Sequence, residues 1–446
     1  MLAEKVGAVM VIGGGVAGLQ AAYDLAETGY HVYLVEEKTA IGGAMAQLDK
    51  TFPTDDCAMC IISPKLVEAG RHPNIDLITG AEVEELAGGP GNFKVRLKKR
   101  ARYVDPDKCT SCGDCVNVCP VERINEFDGG LSARRAIYKL YPQAAPGAYA
   151  VDKSGLSPCR AACPAGVNAQ GYVQLISKGD FTAAWELIYR DLPFPAACGR
   201  VCVHPCQTAC YRGQVDQPVN IMYLKRAAAD AAYTDPASLP LPTPGEARGK
   251  KVAVVGSGPA GLTAAYRLVL AGFGVTVFEA LPVAGGMLRV GIPEYRLPKK
   301  WVDLEIGLLE RLGVEIKPGH RLGRDMELAD LTRDYDAVFL AMGAHTGVRL
   351  GLPGEDCPQV LQGVDFLRRV ALGEQVPLNG RVAVIGGGNT AMDCARTALR
   401  LGALEVHLYS LEKEDELPAA PDEVEGARYE GVIFHHGRGV RSINGE

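Results

Sequence analysis

Three times along this chain of 446 residues a short apolar strand runs into a glycine loop that opens a helix. The loops are Gly13-Gly14-Gly15-Val16-Ala17-Gly18, Gly256-Ser257-Gly258-Pro259-Ala260-Gly261 and Gly386-Gly387-Gly388-Asn389-Thr390-Ala391. In the first two copies an acid, Glu36 or Glu279, follows 23 residues after the first glycine, and a glycine pair follows six residues later, Gly42-Gly43 or Gly285-Gly286. Each part has a physical purpose. The first glycine makes the tight strand-to-helix turn, the second lets a pyrophosphate approach the backbone, and the third, or Ala391, lets helix pack on strand. The helix N-terminus offers free N–H groups and a positive dipole end to phosphates. The acid closing the second strand accepts from ribose hydroxyls. The spacing therefore predicts parallel α/β units that bind dinucleotides. The candidate residues are Gly13, Gly15, Gly18, Glu36 and Gly43 in the first copy, and Gly256, Gly258, Pro259, Ala260, Gly261, Glu279 and Gly286 in the second. In the third they are Gly386, Gly388, Asn389 and Thr390.

The third copy lacks an acid where the other two carry theirs. Its second strand ends in Ser410-Leu411-Glu412, with no cation before Lys413. A 2′-phosphate needs a cation there, and Glu412 repels one, so the expectation is NADH rather than NADPH unless cations arrive from elsewhere in the fold.

Composition narrows the class. With 53 glycines, roughly 12% against a usual ~7%, and no Gly-X-Y period, the surplus belongs in turns and phosphate loops. A net charge of -6 argues against nucleic-acid binding. No apolar run reaches the ~18 residues of a membrane span, and the N-terminus lacks a signal-peptide layout. The expectation is a cytoplasmic protein.

Twelve of the 14 cysteines lie between Cys57 and Cys210. In a reducing compartment such clustering means metal or redox chemistry rather than structural disulfides. Cys109-x2-Cys112-x2-Cys115-x3-Cys119-Pro120 is the ferredoxin run, which wraps backbone around a [4Fe–4S] cluster. A zinc ribbon would separate two CxxC pairs by a longer loop. In two-cluster ferredoxins the fourth cysteine serves the other cluster, and no second run of this type is present. A second group joins Cys159-x3-Cys163-Pro164 to Cys198, Cys202, Cys206 and Cys210. A helical hairpin over 168–190, with Val173, Leu175, Ile176, Phe181, Trp185, Leu187 and Ile188 in its core, would bring the two clumps together. Six thiols can hold one cluster or share two; zinc or buried free thiols are the blander readings. Cys57-Ala58-Met59-Cys60 is a dithiol redox pair, a donor of two cluster ligands, or a structural pair. Cys394 falls inside a helix as a small core residue.

The fold class these signals predict is α/β, with Rossmann-type, thioredoxin-reductase-like dinucleotide-binding domains, an inserted ferredoxin-like module and an α-helical iron–sulfur domain. The divisions are a partial FAD-binding module at 1–100, the ferredoxin-like module at 101–126, an irregular linker at 127–157 and the helical domain at 158–235. The proline-rich stretch from Thr234 to Gly249 marks a boundary. The first part of an FAD-binding domain follows at 250–375, then an NAD(P)-binding domain at 376–446.

At these residues the chain becomes recognisable. Residues 9–152 resemble the A subunit of heterodisulfide reductase, through VIGGGVAGLQAAYDLAETGYHVYLVEE, GGAMAQLDKTFPTDDCAMC, VEAGRHPNIDLIT, the ferredoxin run and NEFDGGLSARRAIYKLYPQAAPGAY. That resemblance implies a flavin protein that relays, and in some complexes bifurcates, electrons among iron–sulfur partners. Residues 158–446 resemble a family that includes the small subunit of glutamate synthase, the NAD(P)H-linked subunit of ferredoxin transhydrogenases and the N-terminal part of dihydropyrimidine dehydrogenase. The stretches are CRAACPAGVN, PFPAACGRVCVHPC, GSGPAGLTAAYRL, GGMLRVGIPEYRLP, LAMGAHTG, which adds Gly343 to the cofactor-binding positions, and IGGGNTAMDCARTALRLGA. This resemblance implies iron–sulfur ligands ahead of the flavin region, FAD at Gly256–Glu279 and a nicotinamide cofactor at Gly386–Asp393.

Three departures accompany it. The CxxC that two-cluster members carry upstream of Cys159 is missing. The paired arginines of NADPH-using members are replaced by Ser410-Leu411, which again favours NADH. The chain stops at Glu446, before the FAD domain would be finished, so a longer polypeptide is expected.

Together these readings predict an iron–sulfur flavoprotein oxidoreductase passing electrons between NAD(P)H, FAD (one or two) and two or three [4Fe–4S] clusters. Its partner would be a ferredoxin or a heterodisulfide-reductase-type iron–sulfur subunit. No catalytic side chain is nominated, because hydride transfer to flavin needs no general acid or base. The alternatives are a glutamate synthase small-subunit-like donor to an amidotransferase partner and a non-catalytic electron-wire or scaffold subunit.

Overall fold

A computed structural model describes residues 7–378 and 380–444. The chain divides into two compact units, Met1–Leu156 with Tyr211–Gln217, and Ser157–Cys210 with Pro218–Glu446.

In the first unit β1 (Ala8–Ile12), α1 (Val16–Glu27), β2 (His31–Glu36), α2 (Ala58–Arg71) and β3 (Ile75–Thr79) build a parallel sheet in the order β1-β2-β3. The alternating Val32 and Leu34 of β2 lie in the core with Leu19, Ala22 and Ala26 of α1 and Ile62, Leu66 and Ala69 of α2. An antiparallel hairpin follows, β4 (Ala81–Gly89) and β5 (Asn92–Lys99). Beyond it come the short α3 (Asp114–Asn117), β6 (Glu122–Ile124), β7 (Ala133–Arg135), β8 (Ile137–Tyr138) and β9 (Ala150–Val151). Here the structure departs from the expected linker. Antiparallel pairing joins β6 to β7 and β8 to β9, and Tyr141 is buried in the same core as β2. The prolines and glycines of this stretch suggested loop, but Tyr141 and Ala144 are buried in the core of the sheet, with Phe127, Leu140 and Ala145 packed against it.

The second unit begins with α4 (Pro158–Ala161), α5 (Ala169–Ser177), α6 (Phe181–Tyr189), α7 (Pro195–Val201), α8 (Pro205–Thr208) and α9 (Ile221–Ala232). The hairpin of α5 and α6 buries Tyr172, Ala184 and Ile188 against Ile221 and Ala228 of α9. A parallel sheet in the order β12-β11-β10-β13 follows. Its elements are β10 (Lys251–Val255), α10 (Pro259–Leu270), β11 (Gly274–Phe278), α11 (Met287–Val290), α12 (Lys299–Arg311), β12 (Val314–Lys317), α13 (Leu328–Asp334) and β13 (Ala337–Leu340). Then α14 (Gly363–Ala371), β14 (Arg381–Ile385), α15 (Asn389–Arg400), β15 (Glu405–Tyr409), α16 (Pro421–Tyr429) and β16 (Ile433–His435) form a second parallel sheet, β14-β15-β16.

The proline-rich stretch after Thr234 separates these regions in sequence but not in packing. One core holds Trp185, Tyr189, Phe194 and Ala197 of the helical region together with Leu262, Tyr266, Val302 and Leu309 of the sheet region. Trp185 stacks on Tyr189 at 4.6 Å, and Tyr189 meets Tyr266 edge-on at 5.3 Å. Among the described residues no helix is long and apolar enough to cross a membrane.

Candidate functional site: three glycine loops and two sets of thiols

The first two loops have the same construction. Gly13 and Gly256 turn the chain with φ of +101° and +107°, and their N–H groups donate to Val35 and Phe278 at 2.8 and 2.7 Å. A Cβ on Gly18 would lie 1.8 Å from the Gly13 carbonyl oxygen, and one on Gly261 1.9 Å from that of Gly256. Only glycine permits that helix-to-turn contact. The downstream pair closes the loop from the other side. A Cβ on Gly43 would lie 2.8 Å from Cα of Gly15, and one on Gly286 2.5 Å from Cα of Gly258. Tyr141 adds a wall in the first copy, where its hydroxyl donates to the Ile41 carbonyl and would meet a Cβ on Gly42.

The acids bind the loops themselves. Glu36 Oε2 accepts from the Gly14 N–H at 2.7 Å and Oε1 from the Lys38 N–H at 2.8 Å. Glu279 is 5% exposed. Its Oε2 accepts from Ser257 N–H and Oγ–H at 2.9 and 2.5 Å, and its Oε1 from the Leu281 N–H at 2.8 Å. The third loop turns at Gly386 with φ +133°, and Ala391 takes the place of the third glycine. Asn389 Oδ1 accepts from the Ala420 N–H at 2.8 Å, and the Gly387 carbonyl from Ala419 at 3.1 Å. Thr390 lies against Gly363, with its Cγ2 3.8 Å from where a Cβ there would stand. Gly343, just past β13, turns with φ +70°.

These features fit dinucleotide phosphates. The N-termini of α1, α10 and α15 have no side-chain cap and no acid in the first turn. Their N–H groups and positive dipole ends are thus left for an anion.

The thiols gather around tyrosines. In the first unit the Tyr149 hydroxyl would stand 3.3 Å from a Cβ on Gly113, within the ferredoxin run; burial holds its phenol above the usual range, and Cys115, Cys112 and Cys109 add to the rise. Cys119 instead directs its thiol to the Val121 carbonyl at 3.8 Å. In the second unit Tyr172 is held well above its ordinary value by burial, with Cys206, Cys163, Cys159 and Cys202 adding to it. Cys206, Cys159 and Cys163 pack in one cluster with Tyr172, whose hydroxyl donates to the Ile221 carbonyl at 3.1 Å. Burial pushes the Cys198 thiol up to about 12, with Glu305, Cys202 and Cys163 adding to the rise. Buried Lys225 counters that rise at both Cys198 and Cys206. Cys210 follows α8 and is partly buried. Among the described residues no three His, Cys, Asp or Glu side chains close on a single metal ion. The donor set remains soft thiol throughout, suited to iron–sulfur chemistry.

Cys57 and Cys60 are both exposed at the start of α2. Cys57 Sγ accepts from the Cys60 N–H at 3.3 Å. The Cys60 thiol, hydrogen-bonded to Cys57, draws the Cys57 thiol below its ordinary value, while Cys60 is raised. Cys394 is buried, with its thiol facing the Gly363 carbonyl at 3.6 Å.

Two polar centres gave no motif in the sequence. Glu305 of α12 is 0% exposed. It accepts from Ala196 N–H at 2.5 Å, Ala197 N–H at 3.2 Å and Tyr233 Oη–H at 3.1 Å. It thus anchors the first turn of α7, the helix that carries Cys198. Burial pushes its carboxyl up to about 8, against those three donors. Arg296 pairs with buried Asp393 of α15 at 2.6 Å and with Glu423 at 2.6 Å. Burial raises the Asp393 carboxyl to about 6, with Arg296 opposing the rise. This pair ties the loop after α11 to the helix of the third glycine loop. Both centres join residues about a hundred positions apart, which no local pattern encodes.

Comparison with known proteins agrees with this layout. The family described as pyridine nucleotide-disulphide oxidoreductase matches residues 7–120 and 250–446. The description "Dihydropyrimidine dehydrogenase domain II, 4Fe-4S cluster" matches 152–236, and "4Fe-4S dicluster domain" matches 101–153. The NADPH-Fe(3+) oxidoreductase subunit beta of Geobacter sulfurreducens is 44% identical over 283 residues, 62% of this chain and 42% of that protein. The NADP(+)-dependent formate dehydrogenase subunit beta of Moorella thermoacetica is 45% identical over 302 residues, covering 63% and 43%. An iron-sulfur subunit of the CoB--CoM heterodisulfide reductase of Methanopyrus kandleri is 57% identical over 149 residues, covering 33% and 22%. The chain thus spans less than half the length of each of these relatives.

Proposed function

Since the chain belongs to the pyridine nucleotide-disulphide oxidoreductase family, we propose that it works as the electron-transfer part of an iron–sulfur flavoprotein oxidoreductase, joining a nicotinamide nucleotide, FAD and [4Fe–4S] clusters. When bound, the nicotinamide exchanges electrons in pairs, the flavin in pairs or singly, and the clusters singly. The chain's own residues position and insulate these groups. Gly256, Gly258, Gly261 and the α10 N-terminus hold the FAD pyrophosphate, Glu279 the ribose, and Gly286 the close approach that closes the loop. Gly386, Gly388, Asn389, Thr390 and the α15 N-terminus hold the nicotinamide nucleotide. The Gly13–Glu36 loop, built like the second, offers a place for a further flavin.

Cys109, Cys112, Cys115 and Cys119 supply one set of cluster thiolates, and Cys159, Cys163, Cys198, Cys202, Cys206 and Cys210 the other. Burial pushes the Cys198 and Cys206 thiols up, so holding a cluster there would require those protons to leave. The partner fitting this reading is a ferredoxin or another iron–sulfur protein, and the reducing cytoplasm is the compartment that keeps twelve clustered thiols available.

The observation that carries the proposal is the packing of Cys159, Cys163 and Cys206 with Tyr172 in a helical region that shares a core with the strand and helix flanking the Gly256 loop. The test is anaerobic titration of the reconstituted protein with NADH and, separately, NADPH, alongside iron, sulfide and flavin analysis. Flavin and iron–sulfur absorbance should bleach together, with two or three clusters per chain. Zinc in place of iron, or no bleaching by either nucleotide, would sink the proposal.

A further inference from the structure

Among the described residues, Lys225 of α9 is a buried charge without a counter-ion. It is 7% exposed, and no carboxylate pairs with its ammonium. The acids of this region are already taken. Asp230 accepts from Arg200 Nη2 at 2.8 Å, and Glu305 from Ala196, Ala197 and Tyr233. An ammonium held out of water without an anion is costly. A cation kept at such a place points to a negative group that the fold is built to receive.

The packing around α9 indicates which group that is. Lys225 lies on the helix between Ile221, one turn before it, and Ala228, one turn after it. Both belong to the apolar cluster that includes Cys206, with Cys159 and Cys163 packed against it. Two contacts fix the helix at this height. The Met222 N–H donates to Gln207 Oε1 at 2.8 Å, beside Cys206. A Cβ on Gly199 would lie 2.7 Å from Cα of Arg226. The residue after Cys198 must therefore be glycine for α7 to come this close to the residue after Lys225. Burial raises the thiols of Cys198 and Cys206, and Lys225 is the first charge to oppose the rise at both. The groups placed to become its counter-ions are thus thiols of α4, α7 and α8 rather than carboxylates.

We propose that Lys225 is the resident cation of the second thiol set, where it offsets the negative charge of the bound cluster and holds its reduction potential up. The proposal rests on the reading that these thiols carry an iron–sulfur cluster. Such a cluster with its thiolates is an anion, and one added electron makes it more negative. A fixed positive charge in an apolar setting therefore favours the reduced form.

The test uses the full chain, reconstituted anaerobically, with Cys109→Ser and Cys112→Ser removing ligands of the ferredoxin run so that only the second set is read. Dithionite titration in the presence of mediators, followed by electron paramagnetic resonance, gives the potential of this background and of Lys225→Met, Lys225→Gln and Lys225→Arg within it. Iron and sulfide per chain and the melt are recorded for each. Lys225→Met and Lys225→Gln should keep the iron and sulfide of the background. At a fixed potential their ratio of reduced to oxidised cluster should fall about tenfold, a downward shift of about 59 mV for one electron. Lys225→Arg, which keeps the charge, should stay within about threefold of the background. An unchanged or raised potential in the two neutral variants would overturn the proposal. So would a shift in Lys225→Arg as large as in Lys225→Met, or loss of iron from all three variants, since either would mark Lys225 as packing alone. If one neutral variant fails to fold, the other decides. Failure of both the wild type and the background to load iron and sulfide on this set would instead overturn the cluster reading itself, and the proposal with it.

Discussion

Replacing Glu305 separates two forces that act on it in opposite directions. Its carboxyl is fully buried, and burial lifts it from 4.5 to about 8, while two N–H groups and the Tyr233 hydroxyl favour the ionised form. A group whose proton is held more tightly in the folded state stabilises most at low pH. That stability is fully present below about pH 4.5, falls as pH rises, and is gone above about 8. The gap corresponds to about 5 kcal/mol in all, or about 1.4 kcal/mol per pH unit between those limits. Glu305→Gln removes the titration. It keeps one acceptor for Ala196 and Tyr233 but turns an NH2 group toward the Ala197 N–H, a conflict costing about 1–3 kcal/mol. Glu305→Leu leaves all three donors unmet and should cost more.

The assay is calorimetric melting at pH 6, 7 and 8. Wild type should be the more stable at pH 6, and its advantage over Glu305→Gln should shrink by between about 2 and 3 kcal/mol by pH 8. At about 2 °C per kcal/mol for a body of this size, the gap in melting temperature should close by roughly 5 °C. Parallel pH curves for the two proteins would refute the reasoning. They would mean that the three donors outweigh burial and keep Glu305 ionised throughout.

Other consequences follow from single contacts. Gly286→Ala places a Cβ 2.5 Å from Cα of Gly258 at φ +52°, so bound flavin, measured after anaerobic purification, should fall to a small fraction of wild type. Arg296→Ala strands the Asp393 carboxylate, of which 5% is exposed, and should cost about 3–5 kcal/mol in denaturant unfolding; Asp393→Asn in the same background should recover part of it. Of the exposed pair, Cys57 should be alkylated by iodoacetamide before Cys60, since its thiolate is the favoured one. Peptide mapping after limited labelling checks the order, and equal labelling would contradict it.

Much of this protein was legible in its sequence because the informative constraints are local. A loop whose third glycine would otherwise drive a Cβ into the first residue's carbonyl must carry glycine at that spacing, so Gly13–Gly18 and Gly256–Gly261 declare strand, turn and helix within a few residues. The ferredoxin run is equally local, and the α5–α6 hairpin follows from apolar periodicity. What the chain leaves unmarked are contacts between distant residues that depend on the path of the backbone. Tyr141, in a stretch that reads as linker, covers Gly42 a hundred positions earlier. Glu305 reaches the first turn of α7 across more than a hundred residues. The stretch after Thr234 breaks the composition but not the core, since Tyr189, stacked on Trp185, packs on Tyr266 from beyond it. Glu412 reads in the sequence as a charge near the third loop, but the place of its carboxylate, 2.7 Å from where a Cβ on Gly387 would stand, is set by the backbone after β15. Sequence spacing determined which groups this protein can hold; the tertiary fold decided which charges face them, because side chains far apart in the chain can arrive at the same point in space.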